Sequence, residues 1–325
     1  MDKIFASGFA DDLKNYIAYR KALGYSENTY YSNSMNFDRY CNVRYPSEST
    51  LSERIAMDWA TKRQREKNVS LNGRVSFLRG FARYQISIGK DAYVIPKKFV
   101  SGSSTFVPYL FSDAELTAFF HEIDTDEKTK RFTSYVLSTI FRLIYTCGLR
   151  PGEGRMLKTE DINFNTGEIM IRCSKKRKDR IVVMSNDMLA LSRHYVAIRD
   201  VVYPDSEYFF PSPSGSPFTT DWVTNQFKRY FARIYPEVPV SDLPRVRVYD
   251  LRHRFATACL LRWIEQGIEL NVRLPYLRTY MGHSTLNETL YYIHILPENL
   301  VAANPNPFHT LQSIVPEVTT DEDTK

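Results

Sequence analysis

Apolar side chains recur at helical spacing along most of the chain. Across residues 9–24, FADDLKNYIAYRKALG, the stripe is Phe9, Leu13, Tyr16, Ile17 and Leu23, and Gly24 offers a stop. A second helix is expected through ENTYYSNSMNFDRYC, with Ser26 or Asn28 as its cap. Leu51–Arg65 and Leu71–Ile88 read as a third and a fourth, the latter placing Val75, Leu78, Phe81 and Ala82 on one stripe. Residues 1–100 therefore predict a small all-helical domain. Residues 89–107, GKDAYVIPKKFVSGSSTFV, break the pattern with Gly, Pro and a Ser-rich run, and are the expected linker.

Beyond the linker, Phe111–Phe120 and Arg131–Cys147 read as helices. The period then changes. Glu168–Arg172 and Arg180–Met184 read as short strands around a polar stretch, which predicts a hairpin. Helices resume over Asp187–Val202, Asp221–Ile234, Tyr249–Gln266, Arg273–Met281 and Asn287–His294, with a Pro- and Ser-rich loop at 204–217. From Asn304 the pattern lapses into NPNPF and an acidic run, read as a loose tail. The expected fold is mainly α with a small β-sheet: a helical domain over 1–100, a mixed α/β domain over 101–303, and a tail over 304–325. No internal repeat or heptad series is visible.

Hydrophobic residues make up 43% of the 325 positions, enough for a real core in each domain. The net charge of +6 points only weakly to a polyanionic partner. The opening MDKIFASGFADDLKNYIAYRK carries acids early and has no continuous apolar core, so it does not read as a signal peptide. No apolar run is long enough to span a membrane, and a cytoplasmic location is expected by default. Cys41, Cys147, Cys173 and Cys259 form no CxxC pair, which argues against a disulfide scaffold or a zinc site. Neither a metal nor a cofactor is expected.

Four motifs change this picture: TCGLRPGE (146–153), SKKRKDR (174–180), YDLRHRFAT (249–257) and MGHSTLNETLYYIH (281–294). Each is short, but their order and spacing together resemble the catalytic domain of the tyrosine recombinase and phage integrase family. ALGYSENTYYSNSMNFDRY is similar to the segment that opens the family's helical core-binding domain. The resemblance covers roughly residues 9–300 and is strongest from 146 to 294.

The resemblance implies a role for each motif. Arg150 and Arg252 match the two catalytic arginines. His283 matches the residue of the third motif that contacts the scissile phosphate, and Tyr292, nine positions later, matches the nucleophile. Lys175 matches the hairpin lysine that protonates the leaving 5′-oxygen. Glu153 matches a supporting acid, and Asp250 and His253 are supporting candidates. Tyr249 departs from the family pattern, which has a histidine three residues before the second arginine. A phenol there can hydrogen-bond a phosphate oxygen but cannot be a cation. His253 is not expected to replace it, because it is placed on a different helical face.

The chemistry asks for such a set independently. A phosphodiester repels nucleophiles, and two fixed guanidiniums can clamp its oxygens as charge develops. A phenol of ordinary pKa about 10 needs a base or a positive field before it attacks. A phosphotyrosine link conserves the bond, so rejoining needs no ATP. Plainer readings stand beside these. Arg150 would ordinarily be a solvated helix-end residue, Arg252 a surface ion-pair partner and His283 a cap. Tyr291 competes with Tyr292, since adjacent helical residues face about 100° apart. Lys176 and Lys178 compete with Lys175, since hairpin register decides among them, and the plainer reading of SKKRK is an exposed basic turn gripping backbone phosphates.

Lys62, Arg63, Arg65, Lys67, Arg74, Arg79 and Arg83, placed on two helices, and Lys97 and Lys98 in the linker, are DNA-backbone candidates, with an ordinary solvated face as the alternative. The implied partners are double-stranded DNA carrying specific recombination sites, three further copies of the chain in a tetramer, and accessory DNA-bending or directionality proteins. ILPENLVAANPNPFHTLQSIV is expected to pack on a neighbouring protomer through Ile295, Leu296, Leu300 and Phe308. The implied function is site-specific recombination through a 3′-phosphotyrosine, integrating or excising a mobile element. The alternatives are dimer resolution of replicons, a catalytically inactive architectural protein, and a topoisomerase-like relaxing enzyme.

Overall fold

The computed structural model describes residues 5–25, 27–99, 108–127, 129, 131–172 and 179–296. The chain divides into two compact units, Met1–Phe106 and Val107–Lys325.

The first unit contains α1 (Ala10–Ala22), α2 (Glu27–Arg44), α3 (Glu53–Ala60) and α4 (Asn68–Ser87). Their stripes converge on one aromatic core in which Phe9, Leu13, Tyr16, Phe37, Trp59 and Phe81 are buried. Phe37 meets Trp59 edge to face, with ring centroids 5.2 Å apart. Three expectations are corrected here. The third helix stops at Ala60 because Thr61 is extended (φ −61°, ψ 127°), so Lys62, Arg63, Arg65 and Lys67 lie on an exposed loop and not on a helix. Asn28 falls inside the first turn of α2 and does not precede it, while Ser26 lies outside the described residues. The expected linker starts later than Gly89. Lys90 Nζ reaches the Asp12 carboxylate at 2.7 and 2.8 Å, the Tyr93 amide donates to Leu51 O at 2.8 Å, and Ile95 is buried. Residues 89–99 are thus part of the first unit; 100–107 lie outside the described residues.

The second unit is built on α6 (Arg131–Thr146), whose Val136, Leu137, Ile140, Phe141, Leu143 and Ile144 are fully buried. A helix apolar on most of its circumference belongs at the centre. α5 (Asp113–Asp124), α8 (Asn186–Val202) and α10 (Val248–Glu265) pack on it, and α9 (Thr220–Arg233) packs on α5 and α10. The hairpin forms as expected: β1 (Glu168–Ile171) and β2 (Arg180–Val183) are antiparallel, with Ile171 opposite Arg180. Strand alternation turns Val182 inward, and with it Arg180. The intervening SKKRK lies outside the described residues, and so do the tail and the neighbour-packing segment from 297 onward. Leu296, offered above to a neighbouring protomer, is instead buried in its own unit.

Two features of this unit depart from expectation. A short helix, α7 (Pro151–Arg155), follows Arg150. Two glycines in five residues hide it, while Pro at its first position and Glu at its third mark its start. α11 (Leu270–Met281) begins a turn early, with Leu270 buried, and carries Pro275 inside it. α10, α11 and α12 (Asn287–His294) enclose a second, smaller core of Leu260, Leu274, Leu277, Met281, Leu290 and Tyr292. Cys41 and Cys147 are buried, and these and Cys259 are unpaired. No described helix is long and apolar enough to cross a membrane.

Candidate active site

Four stretches of the second unit meet: the turn into α7, the start of β2, the first turns of α10, and the α11–α12 junction. Gly148 and Gly282 shape two of them. Both hold positive φ (60° and 64°), a conformation that glycine adopts without steric cost. Both also turn their carbonyls onto arginines. Gly148 O accepts from Arg252 Nη1 at 2.6 Å, and Gly282 O accepts from Arg150 Nη2 at 2.7 Å. Met281 O accepts from Arg252 Nη2 as well. Arg252 is fully buried, and burial pulls its pKa down, yet a guanidinium stays charged in proteins. Its Nε has no hydrogen-bond partner among the described residues.

Glu153 bridges two arginines. Its Oε1 accepts from Arg150 Nη1 at 2.6 Å and Arg180 Nη1 at 2.8 Å; its Oε2 accepts from the Arg150 amide at 2.8 Å and Arg180 Nη2 at 2.7 Å. Burial alone would raise its pKa, but Arg180 first and Arg150 second hold it down at about 2. Arg180 also donates from Nε to Tyr280 O at 2.8 Å. Arg180 was not among the residues expected in the site. Its signal is the inward place it takes in the strand alternation, where an apolar residue would be ordinary.

His283 stacks on Tyr292 with ring centroids 5.8 Å apart and planes 17° apart. Its Nε2 lies 3.2 Å from Arg252 Nη2, and a guanidinium only donates, so Nε2 is the acceptor. Nδ1 then carries the proton and donates to Thr289 Oγ1 at 2.8 Å. Burial and the charge of Arg252 press His283 down to about 3, so it is neutral at pH 7. Tyr292 is 2% exposed and its phenol is pushed up to about 12 by burial, against the opposing charge and hydrogen bond of Arg252. Tyr291 is half-buried and faces Arg247 and Asp250. The helix thus turns Tyr292, not Tyr291, to the arginines.

Tyr249 lies beside the cluster and interacts with the Arg150 guanidinium. His253 is corrected from its expected placement. It shares a face with Tyr249, one helical turn away, with ring centroids 5.0 Å apart, and its ring is 5.5 Å from that of Tyr292. Asp250 is buried and caps α10: its Oδ2 accepts from the Arg247 amide at 2.8 Å and its Oδ1 from Arg247 Nη2 at 2.9 Å. Lys175, Lys176 and Lys178 lie outside the described residues.

Three guanidiniums against one carboxylate, with neutral histidines, leave an excess of positive charge around a buried phenol. Such a cluster suits an anionic phosphoester. Among the described residues, no group of three or more His, Cys, Asp or Glu is placed to hold a metal.

The basic candidates of the first unit divide. Arg74 is committed to the fold: it donates to Trp59 O, to Thr61 O at 3.2 Å, and to Glu66 at 2.7 and 2.8 Å. Arg79 holds Ile95 O and Pro96 O at 2.8 and 2.7 Å. Lys62, Arg63, Arg65, Lys67, Arg83 and Lys97 are exposed, and the side chain of Lys98 lies outside what the structure describes.

A fold of this kind around a guanidinium-ringed phenol defines a class of DNA strand-transfer protein, and comparison with known proteins agrees. The model of the phage integrase family matches residues 111–299, more than half the chain. Tyrosine recombinase XerA of Thermococcus onnurineus is 27% identical over 292 residues, covering 89% of this chain and 92% of that protein. In fold, the chain is similar to XerH site-specific recombinase bound to palindromic difH substrate in a post-cleavage complex (TM-score 0.64, 22% identity, 85% of this chain and 78% of that one). It is likewise similar to the Tn1549 transposon integrase in complex with transposon end DNA (TM-score 0.64, 16% identity, 93% and 99%). The chain belongs to the phage integrase family of tyrosine recombinases, enzymes that break and rejoin DNA.

Proposed function

We propose that this enzyme is a site-specific recombinase in which Tyr292 attacks a DNA phosphate and forms a 3′-phosphotyrosine. The observation that carries the reading is the inward turn of Tyr292 onto Arg252 and His283, in a cluster that already holds Arg150 in place. Arg150 and Arg252 clamp the phosphate oxygens, exchanging part of their carbonyl contacts for the anion. Glu153 and Arg180 hold Arg150 in register. His283 positions Arg252 and the Tyr292 ring, Tyr249 adds a neutral hydrogen bond beside Arg150, and Asp250 fixes the start of α10. The ammonium of Lys175, with Lys176 and Lys178 as the register alternatives, donates to the leaving 5′-oxygen.

The first unit serves as the core-binding domain, with the exposed basic loop at 61–67 gripping backbone phosphates in a salt-dependent way. The working assembly is four protomers on two DNA sites, within the nucleoid, with accessory DNA-bending or directionality proteins. Integration or excision of a mobile element is the favoured role, supported by the similarity to a transposon integrase. Dimer resolution is the second reading, supported by the similarity to the TnP I resolvase of Bacillus thuringiensis, 26% identical over 228 residues, 69% of this chain and 71% of that protein.

A nicked suicide duplex carrying the chain's binding site tests the chemistry. A covalent adduct is expected with the native protein and with Tyr291→Phe, and none with Tyr292→Phe. An adduct lost only in Tyr291→Phe would move the nucleophile.

A further inference from the structure

The phenol of Tyr292 must lose its proton as it bonds to phosphorus, and the position where the family pattern has a histidine, three residues before Arg252, holds Tyr249. Two imidazoles flank the Tyr292 ring. His283 has both nitrogens engaged, Nε2 by Arg252 and Nδ1 by Thr289. His253 does not. The residue is buried and its ring lies 5.5 Å from the Tyr292 ring, and its Nδ1 is buried with no hydrogen-bond partner among the described residues. Its Nε2 stands 4.0 Å from Asp250 Oδ1. That carboxylate favours the tautomer with the proton on Nε2, which leaves a bare lone pair on Nδ1.

We infer that His253 is a catalytic residue, the acceptor of the Tyr292 phenolic proton. The inference rests on Tyr292 being the nucleophile, as proposed above. In the cleavage step the Oη–P bond forms as the P–O5′ bond breaks. The phenolic proton passes to Nδ1 of His253, and O5′ takes a proton from the hairpin ammonium. Rejoining returns both protons. The histidine position vacated by Tyr249 is thus covered from one helical turn further along α10, on the same face.

The charged and titratable groups facing His253 are consistent with this. Arg247, Tyr249, Asp250 and Arg252 come from its own helix and cap, and Tyr291 and Tyr292 from α12. Burial, then Arg247 and Arg252, press the imidazole down to about 4, so it is neutral and able to accept. The phenol stands near 12, so transfer before attack is far uphill. The proton therefore moves together with Oη–P bond formation, as the phenol becomes acidic. A phosphate bound at Arg252 also screens one of the charges that depress His253.

The test is single-turnover adduct formation on the suicide duplex, with DNA affinity and thermal melting measured alongside. His253→Gln, which keeps a hydrogen-bonding side chain but cannot take a proton, is expected to slow adduct formation about 100-fold while leaving DNA affinity unchanged. His253→Ala is expected to be as slow and to recover with added imidazole, in proportion to the neutral imidazole present. Native rate in His253→Gln overturns the inference. So does a folded, DNA-binding His253→Ala that imidazole does not restore; should that variant fail to fold, the Gln rate decides. An adduct that persists in Tyr292→Phe would instead overturn the nucleophile assignment, which separates the two failures.

Discussion

Replacing Glu153 by Gln removes the one carboxylate between Arg150 and Arg180 and leaves its shape. Two separate routes give the cost. The first is the proton balance. Glu153 is held at about 2 against an ordinary 4.5, and each pH unit of that drop is worth about 1.4 kcal/mol, so its ionised form stabilises the fold by about 3 kcal/mol. The second is geometric. An amide placed at Oε2 would turn its N–H groups toward the Arg150 amide and Arg180 Nη2, both donors, and breaking one side of a buried pair costs about 3–5 kcal/mol. The routes agree, and the loss is a large share of the roughly 5–15 kcal/mol that holds a domain. Because the folded-state pKa is depressed, this stability is complete above 4.5 and is lost as pH falls toward 2. The assay is urea unfolding in a Trp59→Phe background, which leaves Trp222 and Trp263 to report on the second unit. At pH 7 Glu153→Gln should be less stable by about 3 kcal/mol, and the gap should narrow below pH 4.5. A gap under about 1 kcal/mol, the worth of a surface pair, or one that does not change with pH, would mean that Glu153 does not stabilise the fold as a buried ion pair.

Three further outcomes follow from the same contacts. In Gly148→Ala the new Cβ would lie 2.5 Å from the Phe255 ring at a φ of +60°, so a loss of about 2 kcal/mol or more is expected, together with loss of cleavage as the carbonyl on Arg252 shifts; a fully active, stable variant contradicts this. His253 and His283 sit near 4 and 3 when folded against 6.5 when unfolded, so the unfolded chain binds more protons below 6.5. Stability should be complete above 6.5 and fall between 6.5 and 4.5 by up to about 1.4 kcal/mol per pH unit for each histidine, and His283→Asn should halve the slope in urea unfolding. Arg74→Met should destabilise the first unit by about 1–3 kcal/mol, because two backbone carbonyls lose their donor and the Glu66 carboxylate is left with the Arg63 amide alone, while Trp222 and Trp263 report an unchanged second unit.

The helices were legible where apolar spacing was long and regular, as in α4, α6 and α10, because burial of one stripe is what makes such segments helical. Their ends were less so. α3 stops at Ala60 because a loop held by Arg74 competes with further turns, and that bond comes from a residue in the next helix. α7 is set by a proline and a glutamate inside a glycine-rich stretch whose propensity argues against it. In the site, Arg150, Arg252, His283 and Tyr292 were legible through motif order. Arg180 was not, since its partner Glu153 is 27 residues away and only the fold joins them. His253 could have been placed by arithmetic alone. Residues four apart on a helix share a face, so Tyr249 and His253 turn the same way. Arg74 and Arg79 show the limit of counting charges: both resemble surface cations in sequence, and both are spent on backbone carbonyls.

In the proposed reaction Tyr292 carries the DNA. The most direct measurement is to trap the adduct on the suicide duplex, digest the protein and the DNA, and locate the residual nucleotide by fragment-ion mass spectrometry of the peptide that holds Tyr291 and Tyr292. A 3′-phosphonucleotide is expected on Tyr292 alone. The same mass on Tyr291, or an adduct on any other side chain, would contradict it.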